Sequence, residues 1–327
     1  MIDSISKIAV LTSGGDSPGM NAAIRSLVRS AKFNHLEVLG IHKGFQGLID
    51  GSFIDLDMRS VSNILGKGGT FLRSARSMDF FDSKYRAIAF DHLQKNNIDA
   101  LVVIGGNGSL TGASIFSSEF NVPVIGIPAS IDNDIYGTDY SIGYDTALET
   151  IVESVDKIRD TANSHNRLFF IEVMGRKSGN LALNASLASG ACFVILPEKE
   201  FQLVELIDRL EENKKSNKQS SIVIVAEGNS YGPSYKIAED LSAVYSAYES
   251  KVTILGHVQR GGTPTSFDRI LASQLGMAAI ESLQLKNYNT MVGLVNNSVE
   301  NTPLSEVINA TNDLSESLYK LNKIISS

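Results

Sequence analysis

Runs of aliphatic residues recur along the chain, apolar at successive rather than alternate positions: KIAVLT (7–12), LEVLGI (36–41), DALVVIG (99–105), VPVIGIP (122–128), LFFIEV (168–173), FVILP (193–197), SIVIVA (221–226), VTILG (252–256) and MVGLV (291–295). Such runs suit strands covered on both faces. Most of the segments between them read as helices. In residues 147–160, Leu148, Ile151, Val152, Val155 and Ile158 recur at helical spacing, an amphipathic stripe. Strand alternating with helix predicts parallel sheets joined by right-handed crossovers, an α/β fold. Near the end, Leu314, Leu318 and Leu321 predict a helix that packs back on a domain.

A chain of 327 residues is long enough for two α/β domains of ordinary size. No Pro, Gly or Ser-rich linker separates them, so the expected organisation is two layered domains between which the chain crosses more than once. The expected division is residues 1–140 with about 256–300 returning to the first domain, 141–255 forming the second, and 301–327 as the terminal helical segment.

Composition narrows the function. Hydrophobic residues make up 43% and charged residues 20%, ordinary for a globular protein. A net charge of −7 argues against a general nucleic-acid binder, which needs a basic surface to displace counterions. No apolar run approaches the roughly 20 residues that cross a bilayer, and the N-terminus, MIDSISKIAVLTSGGD, lacks the shape of a secretory signal. A cytoplasmic protein without membrane partners is expected. Cys192 is the one cysteine, which excludes an internal disulfide and a cysteine-rich zinc site, and the five histidines show no HExxH spacing.

Four glycine-bearing turns follow predicted strands. LTSGGDSPGMNAAIR carries Gly14 and Gly15 before a helix. Backbone N–H groups in such a turn can face phosphate oxygens, although turn chemistry alone leaves a plain tight turn equally open. GKGGTFLRSAR (66–76) sets Lys67, Arg73 and Arg76 beside glycines, an arrangement suited to anions or simply to solvent. GGNGS (105–109) ends a buried strand. GIPASIDNDIYGTDYSIG places Asp132, Asp134 and Asp139 on one loop, where their repulsion calls for a cation, donors or a proton. Metal binding or general-base work is the expected reading. Further on, EVMGRKSG (172–179), VAEGN (225–229) and ILGHVQRGGTPTSFDR (254–269) set Arg176, His257 and Arg260 just past strands, where arginines could meet a second phosphate. Glycine turns and carboxylates in one half, with arginines in the other, fit phosphoryl transfer to a phosphorylated acceptor.

In this order the motifs LTSGGDSPGMNAAIR, GGTFLRSAR, SIDNDIYGTDYSIGYDTAL, RDTANSHNR, EVMGR and LGHVQRGGTPTSFDRILAS resemble those of the bacterial ATP-dependent 6-phosphofructokinases over nearly the whole chain. The resemblance implies the phosphofructokinase fold, with two Rossmann-like layered domains and mostly parallel sheets. It also implies transfer of the γ-phosphoryl of magnesium-bound ATP to the 1-hydroxyl of fructose 6-phosphate, and a cytoplasmic homo-oligomer, expected as a tetramer. The first domain would bind ATP and the second fructose 6-phosphate. Position by position, Gly15, Gly106, Asn107, Gly108 and Ser109 match the ATP phosphate cradle, with Ser77 beside the adenine. Arg76 matches the cation on the transferring phosphoryl, Asp132 the general base, and Ser130 a group beside the γ-phosphate. Ser130, Ile131, Asp132, Met174, Gly175, Arg176, Glu227, Lys251, His257 and Arg260 match the sugar-phosphate pocket, and Arg167 an arginine reaching in from a neighbouring subunit.

Several positions depart from that pattern. Asn107 stands where the family has the aspartate that serves magnesium; an amide oxygen can still ligate the ion, but without its charge. Asp134 would then help charge the metal site indirectly. Lys251 replaces an arginine and loses its bidentate fork, Ser77 replaces an aromatic residue, and Ser130 replaces a threonine. At the family's effector pocket, which takes ADP or phosphoenolpyruvate, Arg25, Arg29 and Arg159 match cations. Met58, Cys192, Ser216 and Gln219 stand at an arginine, a glutamate and two lysines of that pocket. A vestigial effector site is the expectation. Two alternatives remain: a non-catalytic paralogue that binds sugar phosphate, motivated by Asn107 and Lys251, and a pyrophosphate-dependent enzyme. Gly108 and Ala129 speak against the second, because the pyrophosphate branch carries an aspartate and a lysine there.

Overall fold

A computed structural model describes residues 5–163, 167–216 and 221–326. In chain order the elements are β1 (Lys7–Ser13), α1 (Met20–Phe33), β2 (Glu37–Ile41), α2 (Gly44–Asp50), β3 (Phe53–Asp55), α3 (Ser83–Lys95), β4 (Ala100–Gly105), α4 (Asn107–Phe120) and β5 (Val124–Pro128). There follow α5 (Tyr144–Asn163), β6 (Arg167–Val173), α6 (Asn180–Ser189), β7 (Phe193–Ile195), α7 (Leu203–Lys215), β8 (Ser221–Ala226), α8 (Ser234–Val244) and β9 (Glu249–Ile254). The last elements are α9 (Ser266–Gln284), β10 (Thr290–Val295), β11 (Ser298–Pro303), α10 (Leu304–Val307) and α11 (Glu316–Ile325).

The chain divides into two units. The first comprises residues 1–130, 134–146 and 260–312, and the second 131–133, 147–259 and 313–327. The first unit holds a seven-stranded sheet in the order β11-β10-β5-β4-β1-β2-β3. Its five inner strands run parallel; β3 and β11 pair antiparallel at the two edges. β1 and β4 are buried along almost their whole length because helices cover both faces. One layer packs α1 and α9 on Ile8, Val10, Val102 and Ile104, and the other packs Leu48, Leu93, Leu110 and Phe116 on Ala9, Leu11, Leu101 and Val103. Odd and even residues of each strand thus feed different layers, as the two-residue period requires.

The second unit carries a four-stranded, wholly parallel sheet in the order β7-β8-β6-β9. Its core gathers Leu168, Phe170, Val223 and Val225 with Leu206, Leu210, Ile237 and Leu241 from α7 and α8. α11 packs on α6, where buried Asn322 donates its amide to Ser186 Oγ at 2.8 Å. α5 contributes buried Ile151 and Val155, two members of the stripe seen in the sequence.

The loop of residues 134–146 in the first unit is tied down by Asp268. This fully buried carboxylate accepts from the backbone N–H groups of Gly143 and Thr146, both at 2.8 Å, and from Thr146 Oγ1 at 2.5 Å. The same helix start is capped by Thr265, whose hydroxyl accepts from Asp268 N–H at 3.2 Å. Burial raises the Asp268 carboxyl above its ordinary value, against the opposing pull of these bonds.

Candidate active site

In the first unit, Ser13 at the end of β1 lies in register with Gly105 at the end of β4. The sheet order then sends the chain in opposite directions, from β1 to β2 and from β4 to β5. Open parallel sheets collect ligands at such a switch point, outside the carboxyl ends of the strands. Two of the four glycine turns are thereby brought together: a Cβ on Gly14, whose φ is 84°, would lie 3.2 Å from Ser109 Oγ. The second turn opens α4, with Asn107 as its first residue and no side-chain cap. The N–H groups of Asn107 and Gly108 therefore remain available to an anion, whereas Ser109 N–H turns back to the Gly106 carbonyl at 2.9 Å. Ser109 is buried, Gly106 and Asn107 are half-buried, and Gly108 is exposed.

A cation lies on the first turn. Arg260 Nη1 donates to the Asp16 carbonyl at 3.3 Å, and a Cβ on Gly15 would come within 2.6 Å of the same nitrogen. A side chain at 15 would have to displace that guanidinium from the turn, so the glycine there admits the cation. The basic loop is pinned nearby within the same unit. Asn21 donates its amide to the carbonyls of Lys67 and Gly68 and accepts from Phe71 N–H at 2.7 Å, while Thr12 Oγ1 donates to the Arg73 carbonyl at 3.0 Å. Lys67, Arg73 and Arg76 are exposed, and Arg76 makes no hydrogen bond or ion pair among the described residues. Ser77 Oγ donates to Gln46 Oε1 at 2.9 Å, so its hydroxyl is engaged by α2.

The three aspartates of the next loop separate. Asp132 belongs to the second unit, whereas Asp134 and Asp139 belong to the first. Asp139 accepts from Asn296 N–H at 2.7 Å and thus caps the β10–β11 hairpin. Asp134 is half-buried. Ser130, the last residue of the first unit before the crossing, accepts at its carbonyl from Ser141 Oγ at 2.6 Å.

In the second unit, Asp132 is 4% exposed. Its backbone carbonyl accepts from Ser178 Oγ at 3.0 Å, and Asn180 Nδ2 donates to the next carbonyl, that of Asn133, at 2.9 Å. Arg176 Nε stands 3.7 Å from Asp132 Oδ2. Arg176 itself holds a left-handed backbone, φ 53°, stabilised where its N–H donates to Glu227 Oε1 at 2.9 Å. Non-glycine residues in that region are uncommon and cluster at functional sites. Met174 N–H donates to buried Gln259 Oε1 at 3.1 Å, which fixes the turn carrying exposed His257. Met174, Gly175, Arg176, Glu227 and His257 all lie just past the carboxyl ends of β6, β8 and β9 and gather there with Ile131 and Asp132. Arg260 falls instead in the first unit, on the Gly15 turn.

Arg167 and Lys251 stand apart from this group. Arg167 is the first residue of β6 and Lys251 the third of β9, at the amino end of the sheet. β6 is seven residues long, which separates Arg167 from the carboxyl-end cluster by roughly 20 Å at the usual rise of a strand.

Of the positions matched to an effector pocket, Arg25 and Arg29 lie half-buried on α1 with Nε atoms that find no partner among the described residues. Arg159 donates to the Ser189 carbonyl. Met58 is exposed, and Ser216 Oγ turns back to the Glu212 carbonyl at 3.0 Å. Cys192 is buried in the apolar core of the second unit, its thiol donating to the Ile222 carbonyl at 3.2 Å. Gln219 lies outside the described residues, as do Ser164, His165 and Asn166 of the RDTANSHNR motif.

Asn21, Ser178, Asn180, Gln259 and Asp268 were not singled out by the sequence. Each is an ordinary polar residue whose role depends on a distant backbone group. No helix is long and apolar enough to cross a membrane, and no cluster of three or more His, Cys, Asp or Glu is placed to hold a metal, both among the described residues.

Comparison with known proteins agrees with this arrangement. The phosphofructokinase family model matches residues 7–283. ATP-dependent 6-phosphofructokinase 2 of Bacteroides thetaiotaomicron is 49% identical over 98% of this chain and 98% of its own. ATP-dependent 6-phosphofructokinase 1 of Thermus thermophilus is 47% identical over 98% and 99%. Among solved structures, phosphofructokinase from Saccharomyces cerevisiae superposes with a TM-score of 0.88 at 36% identity; 98% of this chain corresponds to 47% of the yeast chain, so the protein spans about half of it. A pyrophosphate-dependent phosphofructokinase from Marinobacter aquaeolei, at 20% identity and a TM-score of 0.84, shares the fold. The adjoining glycine turns, the buried aspartate and a full-length match at nearly half identity lead to one conclusion: this chain belongs to the phosphofructokinase family.

Proposed function

We propose that the protein transfers the γ-phosphoryl of ATP to the 1-hydroxyl of fructose 6-phosphate, giving fructose 1,6-bisphosphate and ADP, the committed phosphorylation of glycolysis, in the cytoplasm. The observation that carries this reading is the register of β1 with β4, which sets two uncapped glycine turns side by side with Arg260 on one of them. In this reading the first unit binds the nucleotide. Gly15, Gly106 and Gly108 offer backbone donors to its phosphates and Ser109 its hydroxyl, since the Ser109 N–H is held by the Gly106 carbonyl, and Ser77 lies toward the base. The second unit binds the sugar phosphate through Ile131, Met174, Gly175, Arg176, Glu227 and His257; Ser130 and Arg260, which the resemblance matches to the same pocket, belong to the first unit.

Asp132 takes the proton of the acceptor hydroxyl as the new P–O bond forms, and Arg76, with no competing partner among the described residues, meets the charge on the transferring phosphoryl. Phosphoryl transfer demands positioning and charge stabilisation above all, and these residue types supply both.

A magnesium ion fits this residue set only as one carried by the nucleotide. Asn107 contributes a neutral amide oxygen at the start of α4, Asp134 acts at a remove, and no cluster of three or more ligating side chains exists among the described residues. Magnesium keeps several waters and is commonly held by substrate phosphates with one or two protein groups. When bound, it would supply positive charge that offsets the charge on the phosphates. Asn107→Asp is therefore expected to lower the magnesium concentration giving half-maximal activity by roughly three- to tenfold, on the order of 1 kcal/mol. A magnesium titration of wild type beside the variant checks this.

The donor is ATP rather than pyrophosphate. A Cβ on Gly108 meets nothing within 4 Å, and an aspartate there would project a charge into that space. Assays with each donor at saturating fructose 6-phosphate test the choice: faster turnover with pyrophosphate would reverse it. Placement of Arg167 and Lys251 at the amino end of their sheet supports a role for them in the site of a neighbouring copy, and hence a homo-oligomer, proposed as a tetramer. Burial of Cys192 where a metal-binding glutamate would stand, with Met58 at an arginine position, supports a vestigial effector site around Arg25, Arg29 and Arg159. Neither ADP nor phosphoenolpyruvate is expected to shift the dependence of rate on fructose 6-phosphate. A large shift in steady-state assays with either would contradict this.

A further inference from the structure

At the amino end of the second unit's sheet, Arg167 on β6 lies directly opposite Glu249 on the edge strand β9, and Lys251 is two residues further along β9, on the same face as Glu249. Glu249 joins the two cations. Arg167 Nε donates to one carboxylate oxygen at 2.8 Å, and Lys251 Nζ stands 2.6 Å from the other. Neither Nη nitrogen of Arg167 makes a hydrogen bond among the described residues. Lys251 likewise commits one of its three donors. Glu249 therefore grips each cation by one donor and leaves the remaining donors uncommitted among the described residues, on a common face.

We propose that Glu249 is a positioning residue for phosphate recognition: it orders Arg167 and Lys251 as a pair whose uncommitted donors receive the phosphate monoester of the sugar substrate. The inference rests on the proposed function for what the two cations bind, and goes beyond it in assigning Glu249. Without the carboxylate, two like charges on neighbouring strands would repel and spread, and each long side chain would lose rotamer freedom on binding that Glu249 has already restricted. The need is sharper here because a lysine carries no planar fork of its own and relies on its surroundings for direction. The two cations hold the Glu249 carboxyl down to about 2, so the carboxylate stays ionised at any working pH.

The test compares wild type with Glu249→Gln, an isosteric change at a side chain 55% exposed that leaves the sheet intact. The affinity of each full-length protein for fructose 6-phosphate is measured by calorimetry, and KM and kcat are measured with ATP as donor. Glu249→Gln is expected to weaken fructose 6-phosphate binding and raise its KM by roughly 5- to 20-fold, the effect of losing one or two well-placed charge-assisted bonds, with kcat and the KM for ATP nearly unchanged. In an Arg167→Ala/Lys251→Ala background the same substitution is expected to add nothing, because Glu249 acts through those two side chains. An unchanged or tighter fructose 6-phosphate affinity in Glu249→Gln overturns the proposal, as does full additivity in the triple variant. Wild type that binds the sugar phosphate without turning it over would defeat the proposed function while the binding comparison still decides the role of Glu249; wild type that does not bind it would defeat both.

Discussion

Asp132→Ser is expected to lower kcat by roughly 10²- to 10⁴-fold, the range over which a positioned general base contributes. Asp132 is almost wholly buried, yet its carboxylate faces the Arg176 guanidinium at 3.7 Å, and its backbone is fastened by Ser178. The backbone bond survives the substitution, so the loop keeps its place while the proton acceptor is lost. Arg176 loses an anionic neighbour, which frees it for the sugar phosphate; the KM for fructose 6-phosphate should therefore stay level or fall. A fall in kcat with KM held is the signature of an interaction made only in the transition state. Steady-state kinetics at saturating ATP, with a melting curve to confirm an intact fold, check this. A rise in KM with kcat preserved would move Asp132 from chemistry to binding.

The largest effect on stability is expected at Asp268. Its carboxylate accepts two backbone N–H groups and one hydroxyl in a site closed to water, and Asp268→Ala leaves those donors unsatisfied. Each buried orphan costs on the order of 1–3 kcal/mol. Relief of the carboxylate's own desolvation offsets part of this, so a net loss of about 3 kcal/mol is expected in urea or thermal unfolding. Asp268→Asn fares little better, because half of an amide presents hydrogens to the same donors. The pH dependence has a definite sign. Burial raises the folded-state value above the unfolded one, so this group's contribution is fully present below the unfolded carboxyl value and declines as pH rises through the folded one. Over that acidic interval the Asp268→Ala protein should lose less stability with rising pH than wild type does. Since Gly143 and Thr146 close the 134–146 loop that follows the crossing carrying Asp132, the proposed general base, lost activity should accompany lost stability.

What could be read from the sequence was what local pattern writes. The parallel strands were legible because both faces are covered and every position is apolar, as in ALVVIG of β4. The two edge strands were not. β3 is three residues long, and β11, SVENTP, is almost wholly exposed, so neither carries a hydrophobic run. β9 shows the same limit in finer detail. Its apolar portion pointed to 252–256, but the strand runs Glu249–Ile254, because its polar first half pairs with β6 through backbone bonds and the Arg167–Glu249 ion pair, not through apolar side chains. That displacement hid the register of Glu249 with Arg167.

The glycine turns were visible as chemistry, but their adjacency was not, since it follows from the order of strands in the sheet. The DND loop read as one group of carboxylates, whereas the chain crosses between units inside it and sends Asp132 and Asp139 to different duties. Asn21, Ser178 and Asn180 carry no local signature at all. Each holds a loop through a backbone carbonyl far away in the sequence, and only the folded chain brings donor and acceptor together.

The neutral Asn107 and the lysine at 251 make turnover, as distinct from binding, the central claim of the account. One measurement addresses this directly: purified wild type with saturating magnesium, ATP and fructose 6-phosphate, its products followed by phosphorus NMR. The expected result is fructose 1,6-bisphosphate and ADP formed in equal amounts over many turnovers. Fructose 6-phosphate bound in calorimetry but left unphosphorylated in the same preparation would contradict it.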